Sequence, residues 1–356
     1  MSRRHFTKVS ALAFGLLLAA CTTSPAGSPG ASAGGSGNGA TPESLTVLCT
    51  PQEDWCQAMV EAFEADTGIE TSYVRLSSGE ALARLRAASG DPEFSVWWGG
   101  PADGFVAANA EGLLEAYVSP NAEPVAADQK EAEGVWTGVY VGALGFCSNT
   151  AVLGDLGVDV PTSWEALLDP ALEGQVAVAH PASSGTAYTA FYTQVARLGG
   201  EEEALDYMKE LHPNVLQYTS SGAAPAEMAG RGEIAVSIVF SHDCVRNIDA
   251  GFADLEVSFP EEGTGYEIGG VSLIANAPEP EAAKMWIDWS LTAEAQEIGA
   301  TVASFQLPTN PDAAVSERSV NLDEVNLVDY DFNAAGEARA DLTARFEDEV
   351  AAKPAE

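Results

Sequence analysis

The sequence predicts an α/β protein of two lobes, its mostly parallel sheets covered by helices. Three observations carry that expectation. From residue 44 onward, short apolar runs of strand length alternate with segments of helical periodicity. The chain has 356 residues, 46% of them hydrophobic, which exceeds one comfortable α/β domain. Three Ser-Ser-Gly junctions, Ser77-Ser78-Gly79, Ser183-Ser184-Gly185 and Ser220-Ser221-Gly222, each lie between an expected strand and the helix that follows.

Residues 45–48 read as a short apolar strand, and residues 55–66 carry apolar side chains at helical spacing that stop at Gly68. Residues 69–76 alternate as a strand; residues 80–88 form a helix ending at Gly90. Residues 95–98 are a strand closed by Gly99-Gly100, followed by a helix over about 103–111. Residues 135–146 are an extended Gly-rich run. Next come a helix at 163–168, a strand at 175–179, a long helix at 186–198 and a strand at 215–218. A helix at 225–231 leads into a strand at 234–240, whose apolar run stops at Ser241-His242-Asp243-Cys244. No fixed-period repeat is visible.

Residues 1–20 read as an export signal: Arg3 and Arg4 precede an apolar run too short to span a bilayer, then a small-residue cleavage site. Leu18-Ala19-Ala20-Cys21 resembles a bacterial lipobox, whose cysteine is lipidated and becomes the first residue. Residues 2–8 resemble a twin-arginine signal. The stretch from residue 21 to 43 is dominated by Gly, Ser, Ala, Pro and Thr, cannot bury enough surface to fold, and reads as a tether. The expected mature protein is a monomer held at the outer face of a membrane.

Removing Arg3, Arg4 and Lys8 with the signal takes the formal charge from −37 to −40. So acidic a surface repels nucleic acid and anionic headgroups, which excludes them as main partners. Besides Cys21, four cysteines remain, an even number in an exported chain. Cys49 and Cys56 bracket a strand-to-helix turn and are expected to pair, leaving Cys147 for Cys244; three connectivities are formally possible. No C-x-x-C spacing supports a zinc or dithiol site.

At each Ser-Ser-Gly junction a helix N-terminus presents unpaired N–H groups and the positive end of its dipole. Serine caps such an end and glycine lets a ligand approach the backbone. One junction alone is ordinary capping, but three at the carboxyl ends of strands suit a small anion such as phosphate. Arg75 and Arg86 are candidate helpers. Ser241, His242 and Asp243 are the residue types of a hydrolase triad, yet neighbours on a strand face alternate sides and cannot form its relay. No nucleophile elbow, zinc-protease helix, phosphate-binding P-loop or dinucleotide fingerprint is present. A metal site from His242, Asp243 and Glu267 lacks a second histidine at ligand spacing. The expectation is a non-enzyme without cofactor or metal.

Several stretches resemble one family. Pro161-Thr162-Ser163-Trp164-Glu165-Ala166-Leu167-Leu168-Asp169-Pro170, followed by Gly174 and Pro181, is similar to a signature of extracellular solute-binding proteins of ABC importers. The run from Gly142 through Phe146 and Cys147 to Thr150 resembles their crossover strand, Trp97-Trp98-Gly99-Gly100 their first-lobe turn, and Gln306-Leu307-Pro308-Thr309-Asn310 their C-terminal segment. The resemblance covers about 44–314 and lies nearest the ferric-ion and hexose-phosphate-binding group. It implies the type II periplasmic-binding-protein fold, a cleft between lobes joined by two strands, and a permease as partner. Lobe 1 would comprise 44–142 and 271–314, lobe 2 143–270, with C-terminal helices in 315–356 packing back on lobe 2.

Ferric binders of this group carry adjacent tyrosines where this chain has Phe240-Ser241-His242-Asp243. The resemblance therefore implies a sugar-phosphate binder, with Ser77, Ser183, Ser184 and Thr186 at the phosphoryl group; Ser78, Gly79 and Gly185 are ligand-binding candidates from the same Ser-Ser-Gly junctions. Ser241, His242, Asp243 and Glu267 would hold hydroxyls, since carboxylates accept hydrogen bonds from hydroxyl pairs. Trp97 and Trp98 are expected in the core. Ferric iron with a synergistic anion, thiamine, a polyamine or a phosphonate are the alternative ligands, and a hydrolase using His242 and Asp243 the alternative of another class.

Overall fold

The computed structural model describes residues 42–353; the expected signal segment, Cys21 and nearly all of the tether lie outside the described residues. Strand β1 (Ser44–Cys49) buries Leu45, Val47 and Leu48, and feeds helix α1 (Glu53–Thr67). That helix stops at Gly68, whose left-handed φ of 74° lets its N–H reach the Glu64 carbonyl. Strand β2 (Glu70–Arg75), helix α2 (Ser78–Ala87), strand β3 (Val96–Pro101) and helix α3 (Ala102–Ala110) follow, then the short β4 (Leu114–Glu115). Strands β2, β1 and β3 run parallel, as right-handed crossovers through α1 and α2 require. Trp97 and Trp98 are buried as expected, Trp97 stacking on Phe105 at 4.1 Å.

The Gly-rich run becomes β5 (Thr137–Asn149), buried along its whole length. After it come α4 (Thr150–Leu156), β6 (Val176–Ala179), α5 (Gly185–Leu198), α6 (Glu201–Leu211), β7 (Val215–Thr219), α7 (Ala224–Gly230) and β8 (Val236–Phe240). Next are α8 (Ser241–Asp249), β9 (Leu255–Ser258) and β10 (Tyr266–Ile274). The chain finishes with α9 (Pro280–Ser290), α10 (Ala293–Thr301), β11 (Leu307–Pro308) and α11 (Phe332–Glu349).

Strand order is β2-β1-β3-β10-β5-β8-β6-β7, a mixed sheet clothed in helices. Long β5 belongs to both ends of it. Its residues 137–143 pair antiparallel with β10, and residues 144–148 pair with β8. Beyond β5, β6 runs parallel to both β7 and β8. Two disulfides pin this frame, Cys49–Cys56 between β1 and α1 and Cys147–Cys244 between β5 and α8, the pairs expected from the sequence.

Three elements differ from expectation. The helix read over 163–168 is only a 3-10 turn (Glu165–Leu168), because Pro170 follows at once and disfavours helical geometry before it. Ser241-His242-Asp243 is not the end of a strand but the first turn of α8. Its apolar residues Cys244 and Ile248 pack that helix against β5 and β9 through Cys147, Leu255 and Val257. Among the described residues the C-terminal segment holds one α-helix, and α11 packs on both ends of the sheet instead of one. Phe346 enters the cluster around Phe191 and Tyr218, while Gly336 lies against Val106 of α3. Arg339 of α11 pairs with buried Asp103 of α3, its guanidinium 4.3 Å over the Tyr188 ring of α5.

Candidate functional site

The carboxyl ends of β1, β2 and β3 face the N-termini of α5 and α8 across a cleft, which is where open α/β sheets gather ligand-binding loops. On one wall stand Thr50, Pro51 and Gln52 after β1, Arg75 ending β2, Ser77 and Ser78 opening α2, and Gly100-Pro101 ending β3. The other wall is made by Ser184, Gly185 and Thr186, by Gly222-Ala223, and by Phe240, His242 and Asp243. Tyr140, Glu267 and Gln306 form the floor between them.

Helix α5 points its N-terminus into this space, and its position is strongly determined. Its side chains from Ala187 to Gln194 are buried, and Tyr188 donates its hydroxyl proton to the Ala335 carbonyl of α11 at 2.6 Å. Ser184 caps it: Oγ accepts from the Ala187 N–H and the carbonyl from the Tyr188 N–H. The turn before it is fastened by His180, whose carbonyl accepts from the N–H groups of Ser183 and Ser184. The remaining first-turn N–H groups, those of Gly185 and Thr186, have no preceding helical turn to accept them and lie on the cleft side with the Thr186 side chain. Together with the helix dipole they make a positive, hydrogen-bond-donating end suited to an anion.

Opposite them sit His242, Asp243 and Glu267. His242 Nε2 lies 3.9 Å from Asp243 Oδ2 and 3.8 Å from Glu267 Oε1, and its ring stacks on Phe240 at 5.6 Å. Burial pushes the His242 imidazole below its ordinary range, so it is neutral near pH 7. Burial, reinforced by the Asp243 and Asp103 carboxylates, holds Glu267 well above the usual glutamate range and favours its protonated form. Asp243 Oδ1 accepts from Gln52 Nε2 of the other wall at 2.8 Å. Arg75, whose Nε donates to the Pro51 carbonyl at 2.9 Å, is the lining arginine. Burial thus disfavours negative charge on Glu267 and positive charge on His242, both of which line the cleft. Thr50 Oγ1, His242 Nδ1 and Gln306 Oε1 are buried without a protein partner for hydrogen bonding, which fits residues that meet a polar ligand.

Of the sequence candidates, the structure brings Ser77, Ser78, Ser184, Gly185, Thr186, His242, Asp243 and Glu267 to the cleft. Gly79, Ser183 and Ser241 are buried just behind it. The Ser183 carbonyl accepts from the Gly79 and Glu80 N–H groups at 2.9 and 3.3 Å, so both residues serve the contact between the walls. Arg86 is turned away and pairs with exposed Glu111. Gly222 of the third Ser-Ser-Gly junction also lines the cleft, while sequence reasoning missed Thr50, Gln52, Tyr140 and Gln306. Thr50 and Gln52 directly follow β1, a position that the carboxyl-end rule identifies. Tyr140 and Gln306 carry no local signal. Among the described residues no trio of His, Cys, Asp or Glu is arranged to hold a metal ion, and no helix is long and apolar enough to cross a membrane.

Comparison with known proteins agrees with this architecture. Residues 58–324 match the family described as bacterial extracellular solute-binding protein. An uncharacterised protein of Haemophilus influenzae is 39% identical over 86% of this chain and 90% of its own. The periplasmic binding protein AfuA from Actinobacillus pleuropneumoniae, solved with exogenous fructose 6-phosphate bound, is 39% identical. It superposes with a TM-score of 0.83 over 86% of this chain and 98% of its own. A ferric binding protein from Campylobacter jejuni, 18% identical, shares the fold with a TM-score of 0.72 over 86% of this chain and 99% of its own. The sheet order, the cleft and the family match lead to one statement: this chain belongs to the bacterial extracellular solute-binding proteins.

Proposed function

We propose that this protein captures a sugar phosphate or a related organophosphate between two lobes and delivers it to an ABC permease, performing no reaction of its own. One observation carries the reading: the capped N-terminus of α5 faces buried His242, Asp243 and Glu267 across the same cleft. The helix end supplies N–H donors for a phosphoryl group. A protonated Glu267 donates to a ring or hydroxyl oxygen while Asp243 accepts from hydroxyls, so both kinds of sugar oxygen find a partner. The relative that binds fructose 6-phosphate supports the ligand class. Phenolates suited to ferric iron are not at the end of β8, where Phe240 and His242 stand; the lining Tyr140 accepts a hydrogen bond from the Gly100 N–H.

Lobe 1 would comprise residues 44–142 and 271–314 and lobe 2 residues 143–270, with closure about β5 and β10 bringing Gln52 to Asp243. Cys21 would anchor the exported protein by lipid, which labelled palmitate incorporation lost in Cys21→Ser would verify. Calorimetric titration with fructose 6-phosphate, glucose 6-phosphate, inorganic phosphate, ferric citrate, thiamine and spermidine tests the ligand. Hexose phosphates are expected to bind with Kd on the order of micromolar or tighter. Heat from iron, thiamine or polyamine alone would refute this ligand class. Phosphate or alcohol release on prolonged incubation, abolished by His242→Ala, would overturn the non-enzymatic role.

A further inference from the structure

The cleft cavity is small, ≈ 60 Å³, but it borders a larger cavity of ≈ 290 Å³ between α7 and α8. Gln52, Ala223 and Asp243 line both, so the Gln52–Asp243 hydrogen bond stands on the boundary between them. Beyond that bond the lining combines an apolar part, Ala250 and Phe252, with polar groups, Glu227 and Asn247. The two arginines there are already neutralised. Arg231 pairs with Glu227 and Glu233, and Arg246 forms a two-pronged contact with Asp54 at 2.5 and 3.1 Å. A second phosphate finds no free cation in that lining. An apolar ring beside amide and carboxylate groups is instead the chemistry of a neutral, hydroxyl-rich ring, whose C–H face packs on the aromatic while its hydroxyls meet the polar rim.

We propose that the cavity lined by Phe252, Asn247 and Glu227 is a glycosyl subsite, and that the cleft accepts phosphorylated disaccharides through the Gln52–Asp243 boundary. The inference rests on the sugar-phosphate reading of the cleft. In a hexose 6-phosphate the anomeric carbon lies across the ring oxygen from the carbon bearing the phosphorylated arm. A glycosidic substituent therefore leaves the ring away from the phosphoryl group, and so away from the end held by Ser184 and Thr186. With the phosphorylated ring against His242 and Asp243, the boundary at Gln52 and Asp243 is the opening such a substituent would take.

Calorimetric titration of the purified protein with glucose 6-phosphate and with trehalose 6-phosphate tests the subsite, in the wild type and in Ala250→Trp and Phe252→Ala. Ala250 is an exposed residue capping the end of α8, so an indole there fills the second cavity without entering the core. Both ligands are expected to bind the wild type with Kd values within about tenfold of each other. Ala250→Trp should weaken the disaccharide phosphate by roughly tenfold or more and leave glucose 6-phosphate within about twofold. Phe252→Ala should act in the same direction by a smaller factor. Binding of glucose 6-phosphate without the disaccharide phosphate, or equal losses for both ligands in Ala250→Trp, would overturn the subsite and leave the sugar-phosphate reading intact. If no hexose phosphate binds, that reading fails and the subsite with it.

Discussion

Helices α2 and α5 begin with the same tripeptide, yet their N-termini meet different groups. At α2 the N–H groups of Gly79 and Glu80 are taken by the Ser183 carbonyl from the opposite wall. Both ends are capped by their own serine, Ser77 in a capping box with Glu80 at α2 and Ser184 at α5, but at α5 the residues after the cap, Gly185 and Thr186, line the cleft. At these two junctions Ser-Ser-Gly opens a helix, whereas after Ser220-Ser221-Gly222 helix α7 starts only at Ala224 without a serine cap; the chain segment packed against each start decides whether it meets a ligand or a neighbour. The glycines both lie against the opposite wall, one on backbone and one on a side-chain ring. A Cβ on Gly79 would stand 2.3 Å from the Ala182 carbonyl oxygen and 2.7 Å from the Ser183 carbonyl carbon, backbone on every side. A Cβ on Gly185 would meet the Pro101 ring at 2.6 Å.

The contrast is broken most severely by Gly79→Ala. The added methyl forces the two walls apart, so ligand affinity should fall roughly 100-fold. The helix itself tolerates alanine better than glycine, so thermal stability should hold or rise slightly. Titration together with small-angle scattering checks this: the variant should stay more extended at saturating ligand, and wild-type affinity would contradict the role given to this contact. Ser184→Ala comes next. It removes the α5 cap, at a stability cost of about 1 kcal/mol, and loosens the N–H groups offered to the ligand, so affinity should fall about tenfold. A loss of stability with unchanged affinity would show that α5 is only capped there.

Much of this was legible from the sequence because the physics is local. Strand-length apolar runs, Gly68 as a helix stop, and serine caps are decided by neighbours in the chain, and the structure bears them out at β1, α1 and α5. The first turn of α8 was not, because Ile238-Val239-Phe240 reads as strand and the polar residues after it read as its end. Only its packing on β5, through Cys244 and its disulfide to Cys147, turns that segment into a helix facing the cleft. The division between Ser183 and Ser184 is likewise tertiary. Nothing in the tripeptide says which carbonyl will reach α2. Tyr140 and Gln306 join the cleft only because β5 runs through both ends of the sheet and β11 pairs with it.

The hydroxyl-binding end allows a pH test that sharpens the comparison from the other side. Glu267 has its native pKa raised by burial first, then by Asp243 and Asp103. It therefore binds its proton more tightly folded than unfolded. Its contribution to stability is fully present below the ordinary glutamate range and is lost as pH rises through the raised native value. Glu267→Gln keeps a neutral side chain of similar shape and removes the titration. Melting curves from about pH 5 to about pH 9 should show the wild type losing stability relative to Glu267→Gln as pH rises. Parallel curves would mean that Glu267 is ionised throughout. The α5 end carries no titrating group in its Ser184-Gly185-Thr186 turn, so Ser184→Ala should leave the slope of the pH profile unchanged.

Ser183→Ala is the smallest and most discriminating change, because it separates two neighbouring serines. Ser183 is fully buried, and its Oγ donates to the His180 carbonyl at 3.2 Å, an oxygen that already accepts from the N–H groups of Ser183 and Ser184. The contact to α2 runs through the Ser183 backbone carbonyl, which alanine keeps. Losing the hydroxyl removes one redundant donor and leaves no oxygen unpaired, so stability should drop by no more than about 1 kcal/mol. Affinity should stay within about twofold of wild type, against the roughly tenfold loss in Ser184→Ala. Equal losses in the two variants would mean that both hydroxyls act on the ligand and that the division between the α2 and α5 junctions is not functional. A neutral Ser183→Ala beside a weakened Ser184→Ala would locate the binding end of the cleft at a single residue step in the chain.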